Sequence, residues 1–395
     1  MKGCKNEGKV AVDCSGKDTG SIIVAGVVSV AGAAVDSCDN SGEVSLVAGS
    51  PLGRTKGLTE VTMKYAPVSS VAGVVTYAVS DANHAVTVSN CNNTGKISFT
   101  YDNINASSFA VSRSPVCGVV ANSGGDITNC HNKGDIYGTF VAATRGAAIT
   151  APNIILHASG VQGADYFVKK IKGKADQNET SVIDCSNSGK IIVDSDLTAS
   201  NNTAGGVCAW PAAESASVTV IKNCVNSGDI TVKGLSKIRV GGIAGGTNSI
   251  EGCKNSGNIF IEGADAASVV GLINGFHTQT HTLKNCEASG KIESAVKLTG
   301  IGGLCGGIGN VENTICEGCK VNATLTGGET AQIGLIVGTL NGNTKKVTIG
   351  TAESPVTVAG SVNGTAATAD NFMTLIHNAT NYTEGMHIFN VVFGN

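Results

Sequence analysis

The stretch Ser249-Ile250-Glu251-Gly252-Cys253-Lys254-Asn255-Ser256-Gly257-Asn258-Ile259-Phe260-Ile261 alternates from its cysteine onward, with Cys253, Asn255, Gly257, Ile259 and Ile261 at every second position. A period of two places these five side chains on one face of an extended strand. The pattern recurs along the chain. Cys4, Asn6 and Gly8 share it with Cys38, Asn40 and Gly42, with Cys91, Asn93 and Gly95, and with Cys130, Asn132 and Gly134. Cys185, Asn187 and Gly189 continue it, as do Cys224, Asn226 and Gly228, and two degenerate copies follow at Cys286-Glu-Ala288-Ser-Gly290 and Cys319-Lys-Val321-Asn-Ala323. Successive cysteines stand 34, 53, 39, 55, 39, 29, 33 and 33 residues apart. A coil of roughly 30 residues is therefore repeated, and the wider gaps carry insertions.

Six residues past each cysteine stands an aliphatic side chain: Val10, Val44, Ile97, Ile136, Ile191, Ile230, Ile259, Ile292 and Leu325. Like residues held at one offset mean that equivalent strands lie over one another in register, about 4.8 Å apart. Two more segments complete the unit. A short strand pattern precedes each cysteine, as in Thr219-Val220-Ile221-Lys222, and a glycine-led apolar segment separates the copies, as in Gly241-Gly242-Ile243-Ala244-Gly245. The sequence predicts an all-β chain wound as a right-handed parallel β-helix, a solenoid of about nine or ten coils with roughly three short strands per coil. Residues 1–365 form it, with loop insertions near 48–67, 100–115 and 139–179. Residues 366–395, where Phe372, Met373, Leu375, Ile376, Tyr382, Phe389 and Phe393 gather, read as a C-terminal cap.

Composition fits thin stacked layers. With 53 glycines and only 4% aromatic residues there are too few large side chains to fill one broad globular centre. A formal net charge of -3, with no basic stripe, argues against nucleic acid as a partner. The longest apolar run, Ser21 to Val35, is broken by glycines and predicts strands rather than a membrane span. Residues 1–4 lack the apolar segment of a secretory signal, and Cys4 already belongs to the repeat. The chain thus reads as part of a longer precursor or as a mature form whose signal region is absent, monomeric and located outside the cell or on the outer-membrane surface; an intracellular origin is the competing reading.

Within the repeat, glycine at offset 4 is expected to supply a turn with positive φ, and asparagine at offset 2 an inward amide that bonds the backbone of the turn. Nine of the 14 cysteines occupy one position, which favours reduced core ladders, although neighbouring coils are close enough for some bridges. The local pair Cys316-Glu-Gly-Cys319 has a metal-like gap but no second pair, and reads as packed or oxidised rather than zinc-binding. No metal or cofactor is expected.

The segment Gly241 to Gly245 followed by Ser249 to Ile259 resembles the GLUG-type repeat proteins of bacterial surfaces, common in gut Bacteroidetes. The likeness spans roughly Cys4 to Gly350 apart from the insertions. It implies a secreted or surface-anchored, adhesin-like β-solenoid.

Candidate chemistry is sparse. Asp194 and Asp196 form the best local acidic pair for glycosidic hydrolysis or calcium, which Asp165, Asp176 or Glu179 could join; solvated loop acids are the alternative. His277 and His281 are four apart without a helix or an intervening glutamate, and read as turn residues. Tyr65, Tyr77, Tyr101, Tyr137, Tyr166 and Trp210 offer rings for stacking on sugars, with core packing the simpler account. Lys169, Lys170, Lys172 and Lys174 make a basic cluster suited to an acidic glycan or to plain solvation. The expected function is a scaffold that binds a polysaccharide or host-surface glycoprotein; a polysaccharide lyase or glycoside hydrolase, and a purely structural spacer, are the alternatives.

Overall fold

The structure is a computed structural model. It describes residues 1–395 apart from 17–21, 50–68, 80–85, 105–111, 143, 145–146, 149–153, 166–180, 199–200, 211–219, 248, 278–280, 310–313, 329–330, 341–346, 372–374, 377–387 and 395. The chain is a parallel β-helix whose coil crosses four faces. In one coil these are Ser69–Ala72 on the first face, Val75–Ala78 on the second, Val88–Ser89 on the third, and Asn92–Asn93 followed by Ile97–Ile104 on the fourth. The coil therefore holds five short strands rather than roughly three. The glycine-led segment is two strands hinged at Gly73, and the cysteine motif is two strands separated at Gly95.

Among the described residues, equivalent strands stack into ladders of nine, nine and ten on the first three faces and nineteen on the fourth, which takes two from most coils. Parallel crossovers of this kind wind right-handed. The aliphatic column runs in register from Val10 through Val44, Ile97, Ile136, Ile191, Ile230, Ile259 and Ile292 to Leu325. The cysteines form the adjoining column: the amide of Cys224 donates to the sulfur of Cys253 at 3.2 Å, and Val225, Lys254 and Glu287, one residue beyond each cysteine, lie in register. None of the fourteen cysteines is joined in a disulfide. Cys316 and Cys319 belong to different columns, Cys316 between Leu283 and Ile349 on the third face and Cys319 at the end of the cysteine column. A two-residue gap that looks like a ligand pair thus serves two faces of one core.

The asparagines build a second, polar column inside the coil. Each Nδ2 donates to the Oδ1 of the next: Asn6 to Asn40, Asn40 to Asn93, Asn93 to Asn132 and Asn132 to Asn187, all at 2.7 Å, then Asn187 to Asn226 and Asn226 to Asn255 at 2.8 Å. The other Nδ2 hydrogen goes to the offset-4 glycine carbonyl of the same coil, at 2.9 Å from Asn187 to Gly189. Buried amides are tolerable because both donors and the acceptor are used. The ladder ends where Ala288 replaces asparagine, and there Asn255 turns to the carbonyl of Ser289.

Glycine at offset 4 does not provide the expected positive φ, except at Gly290 in the degenerate copy. Its role is close approach: a Cβ on Gly134 would collide with the carbonyl oxygen of Gly95 one coil above, and Gly42, Gly95, Gly189, Gly228 and Gly257 stand likewise. The left-handed corner lies instead at the residue before each cysteine, with φ between 51° and 67° at Gly3, Ser37, Asn90, Asn129, Asp184, Asn223, Gly252, Asn285 and Gly318. Apart from Ser37 these are glycine, asparagine and aspartate, the types that enter this region most readily.

Across the core the asparagine column meets a second glycine column. A Cβ on Gly118 would collide with Asn132, and Gly26, Gly73, Gly160, Gly206 and Gly242 are held the same way by Asn40, Asn93, Asn187, Asn226 and Asn255. In the next coil Leu272 takes the glycine position and Ala288 the asparagine position. A large side chain facing a small one conserves the layer's volume, which is what a close-packed interior demands.

The segment read as a cap extends the ladders. Ile388–Phe389 pairs with Val347–Ile349 and Val391–Phe393 with Val356–Val362, while Leu375 accepts from the amides of Ile336 and Val337. Among the described residues it adds a partial coil beyond the last full one. There is no helix among the described residues, and none long and apolar enough to cross a membrane.

Candidate functional site

The alternation that turns cysteine, asparagine and glycine inward turns offsets 1 and 3 outward. On the first four coils these positions are Lys5, Asp39, Asn92 and His131, then Glu7, Ser41, Thr94 and Lys133, and they line a groove of about 440 Å³ on the fourth face. The inward asparagines form its floor, and its length is three rung spacings, about 14 Å.

The groove side chains are tied together rung to rung. Asn92 Nδ2 donates to Asp39 Oδ1 at 2.9 Å. His131 Nδ1 lies 2.8 Å from Ser186 Oγ and its Nε2 3.0 Å from Asn129 Oδ1. Along one edge runs an outer polar chain on the left-handed corners: Asn129 donates to Asn90 and Asn90 to Asp36, each at 2.7 Å, and Lys2 pairs with Asp36 at 3.1 Å. The Asn90 amide, with Lys2 and Ser89, holds the Asp36 carboxyl well below the usual carboxylate range. The result is a preorganised surface carrying two cations, Lys5 and Lys133, two carboxylates, Glu7 and Asp39, and several amide and hydroxyl groups.

Further down the helix the outward positions pair off between coils. Lys254 meets Glu287 at 3.0 Å, Lys222 meets Glu251 at 3.1 Å, and Lys233 meets Glu262 at 3.1 Å. Exposed pairs of this kind neutralise one another and add little stability.

The two aspartates of the acidic pair differ in burial. Asp194 is half-buried on the fourth face between Thr139 and Lys233, with its Oδ1 enclosed, whereas Asp196 is buried at 1% exposure and its Oδ2 accepts from the amide of Ala142 at 3.3 Å. Strict alternation stops here because the strand ends at Ser195, and Ser195, Asp196 and Leu197 are all buried. Tyr101 is a core residue at 0% exposure, packed against Phe99 and Phe140 with ring centroids 4.7 and 4.9 Å away. Burial pushes its hydroxyl up to about 12, and it has no surface for a sugar. Trp210 is half-buried on the second face, its ring beside the Arg239 guanidinium. Tyr166, Lys169 and Lys170 lie outside the described residues, as do most of the insertions. Among the described residues no three of His, Cys, Asp and Glu converge to hold a metal ion.

Sequence reasoning missed the groove because its residues sit at the variable positions of the motif. The signal was present: Lys5 and Glu7, Asp39 and Ser41, Asn92 and Thr94, and His131 and Lys133 are polar in every one of the four N-terminal copies.

No protein-family model and no curated protein matches the chain. Among solved structures, a Bacteroides ovatus protein carrying the description immunoglobulin A1 protease is similar over 92% of this chain and 78% of its own, at 15% identity and a TM-score of 0.36. Likeness at that level carries no argument about activity.

Proposed function

We propose that the protein is an adhesin-like scaffold, secreted or displayed at a cell surface, that binds a carbohydrate or host-surface glycoprotein along the N-terminal groove. The observation that carries this reading is the rung-to-rung fixation of Asp39, Asn92 and His131 between two lysines. Such a row presents hydroxyl-matching donors and acceptors on a rigid ladder, so little entropy is lost when a polar chain is laid along it. The resemblance to GLUG-type surface repeats, carried by Gly241 to Ile259, supports the same reading.

A glycan array probed with the purified chain, run beside a polysaccharide-degradation screen, tests it. Retention of a defined glycan, weakened about tenfold or more by Asp39→Ala or Lys133→Ala at unchanged thermal midpoint, is the expected result. Release of unsaturated or reducing sugar products would establish the lyase or hydrolase alternative instead. Retention indifferent to both substitutions would remove the groove from the account.

A further inference from the structure

On the opposite side of the coil from the groove, two aromatic rings and one cation form a stack that no ion pair completes among the described residues. Arg239 lies on the first face between Thr203 and Val269, and its guanidinium carbon sits 5.0 Å from the centroid of Trp210 and 4.3 Å from that of Phe276. Trp210 and Phe276 come from the second face, two coils apart, with Gly246 on the coil between them in register with Phe276. A Cβ on Gly246 would overlap the Trp210 ring where it lies, and a Cβ on Gly307 would crowd Phe276, 2.9 Å from its Cδ2. Two missing side chains therefore let the rings lie along the solenoid wall, with the guanidinium against both.

A guanidinium held by aromatic rings keeps its N–H groups directed around its edge, in the plane where a carboxylate binds bidentately. Among the described residues no carboxylate and no hydrogen-bond acceptor takes up those groups, and none of the Arg239 nitrogens is sealed from solvent without a partner. This contrasts with the lysines nearby: Lys222, Lys233 and Lys254 each have a glutamate on the next coil. Burial alone lowers the Arg239 group to about 10, so it stays charged at neutral pH while being partly stripped of water. A cation in that condition gains more from an anion than a fully hydrated one does.

We propose that Trp210, Arg239 and Phe276 form a binding site for the carboxylate of an acidic sugar, a hexuronic acid unit, with the guanidinium edge taking the carboxylate and the exposed part of an aromatic ring taking the apolar face of the pyranose. The site is distinct from the groove and uses different residues.

Trp210 is the single tryptophan of the chain, so intrinsic fluorescence reads this site directly. The full chain is titrated with a trimer of galacturonic acid, with a neutral galactose trimer and with inorganic sulfate. A saturable change with the uronate, at least about tenfold weaker with the neutral trimer and lost at high salt, is expected. Arg239→Lys keeps the charge but not the planar fork, and lowers affinity about tenfold or more with the thermal midpoint unchanged. Asp39→Ala, which disables the groove, leaves the tryptophan signal as it was. Three results overturn the proposal: no response to the uronate, an equal response to the neutral trimer, or an Arg239→Lys variant that binds as the parent does. Sulfate saturating the signal at the same concentration would overturn the assignment to a carboxylate.

Discussion

Asn187→Ala tests the polar column where it is most enclosed. Asn187 Nδ2 donates to Gly189 at 2.9 Å and to Asn226 at 2.8 Å, while its Oδ1 accepts from Asn132 at 2.7 Å. Truncation strands one N–H of Asn132 and the carbonyl of Gly189 in a layer where Asn132 and Asn187 are at 0% and 1% exposure. Asn226 loses less, because its Oδ1 also lies 3.3 Å from the amide of Gly228. Two orphaned buried groups at roughly 1–3 kcal/mol each give a destabilisation of about 4 kcal/mol. Asn6→Ala is the control: the first rung is half-open, water replaces the lost partner, and the loss is at most about 1 kcal/mol. Guanidinium unfolding of the full chain, followed by circular dichroism, measures both; because a solenoid can unfold in segments, the transition is monitored for a change in slope as well as in midpoint. Equal costs for the two variants, or a loss below about 1 kcal/mol at Asn187, would mean that the amides are incidental to the stack and that the glycine and aliphatic columns hold the rungs alone.

Gly134→Ala drives a Cβ into the Gly95 carbonyl and should destabilise by several kcal/mol, on the order of 3 or more, whereas Gly8→Ala meets nothing nearer than Asn6 Oδ1 at 3.9 Å and should be neutral within about 0.5 kcal/mol; thermal denaturation of the pair decides it. Asn129→Val places a β-branched residue at φ 51° and should cost about 2 kcal/mol by the same assay, while Asn129→Gly should cost well under 1 kcal/mol even though its bond to Asn90 is lost. Burial pushes the Cys117 thiol up to about 12. A thiol raised in the folded state favours folding fully below its unfolded value of about 8.5 and loses that contribution as pH climbs toward the folded value. Stability of the parent should therefore fall between about pH 8.5 and 10.5, with a shallower fall in Cys117→Ala; identical slopes in the two would contradict the burial argument. Under native conditions a thiol reagent should modify Cys4 and Cys14 on the half-open first coil and leave Cys305 and Cys316 untouched until the chain unfolds, read by mass spectrometry.

Most of the fold was legible because a solenoid writes its contacts into its own repetition. Cys253, Asn255, Gly257 and Ile259 occupy the same offsets as their equivalents, and periodicity of two fixes which side they face. What escaped was the path of the chain between columns. The hinge at Gly73 and the bend at Gly95 each divide one apparent strand into two, and nothing in a run such as Ala72-Gly73-Val74-Val75 separates a bend from a continuous strand. Gly134 was recognisable as obligatory but for the wrong reason, since both a left-handed turn and a close carbonyl select glycine. The true left-handed corner, one residue before each cysteine, varies among glycine, asparagine, aspartate and serine and so does not stand out as a motif.

The candidate sites were less legible for a related reason. Asp194 and Asp196 are two apart and would share a face on an unbroken strand, but the strand ends at Ser195. Tyr101 offered a ring for a sugar or, more simply, for the core, and its register with Ala48 and Phe140 decides for the core by placing it in an inward column.

Sequence alone determined the repeat, the inward columns of cysteine, asparagine and aliphatic residues, and the all-β parallel class, because those depend only on spacing along an extended chain. Tertiary structure decided which outward side chains meet: Asp39 with Asn92, His131 with Ser186, and Arg239 with Trp210 and Phe276. Those encounters join residues 29 to 55 positions apart, through coils of unequal length, and only the winding that brings unequal coils back into register can set them side by side.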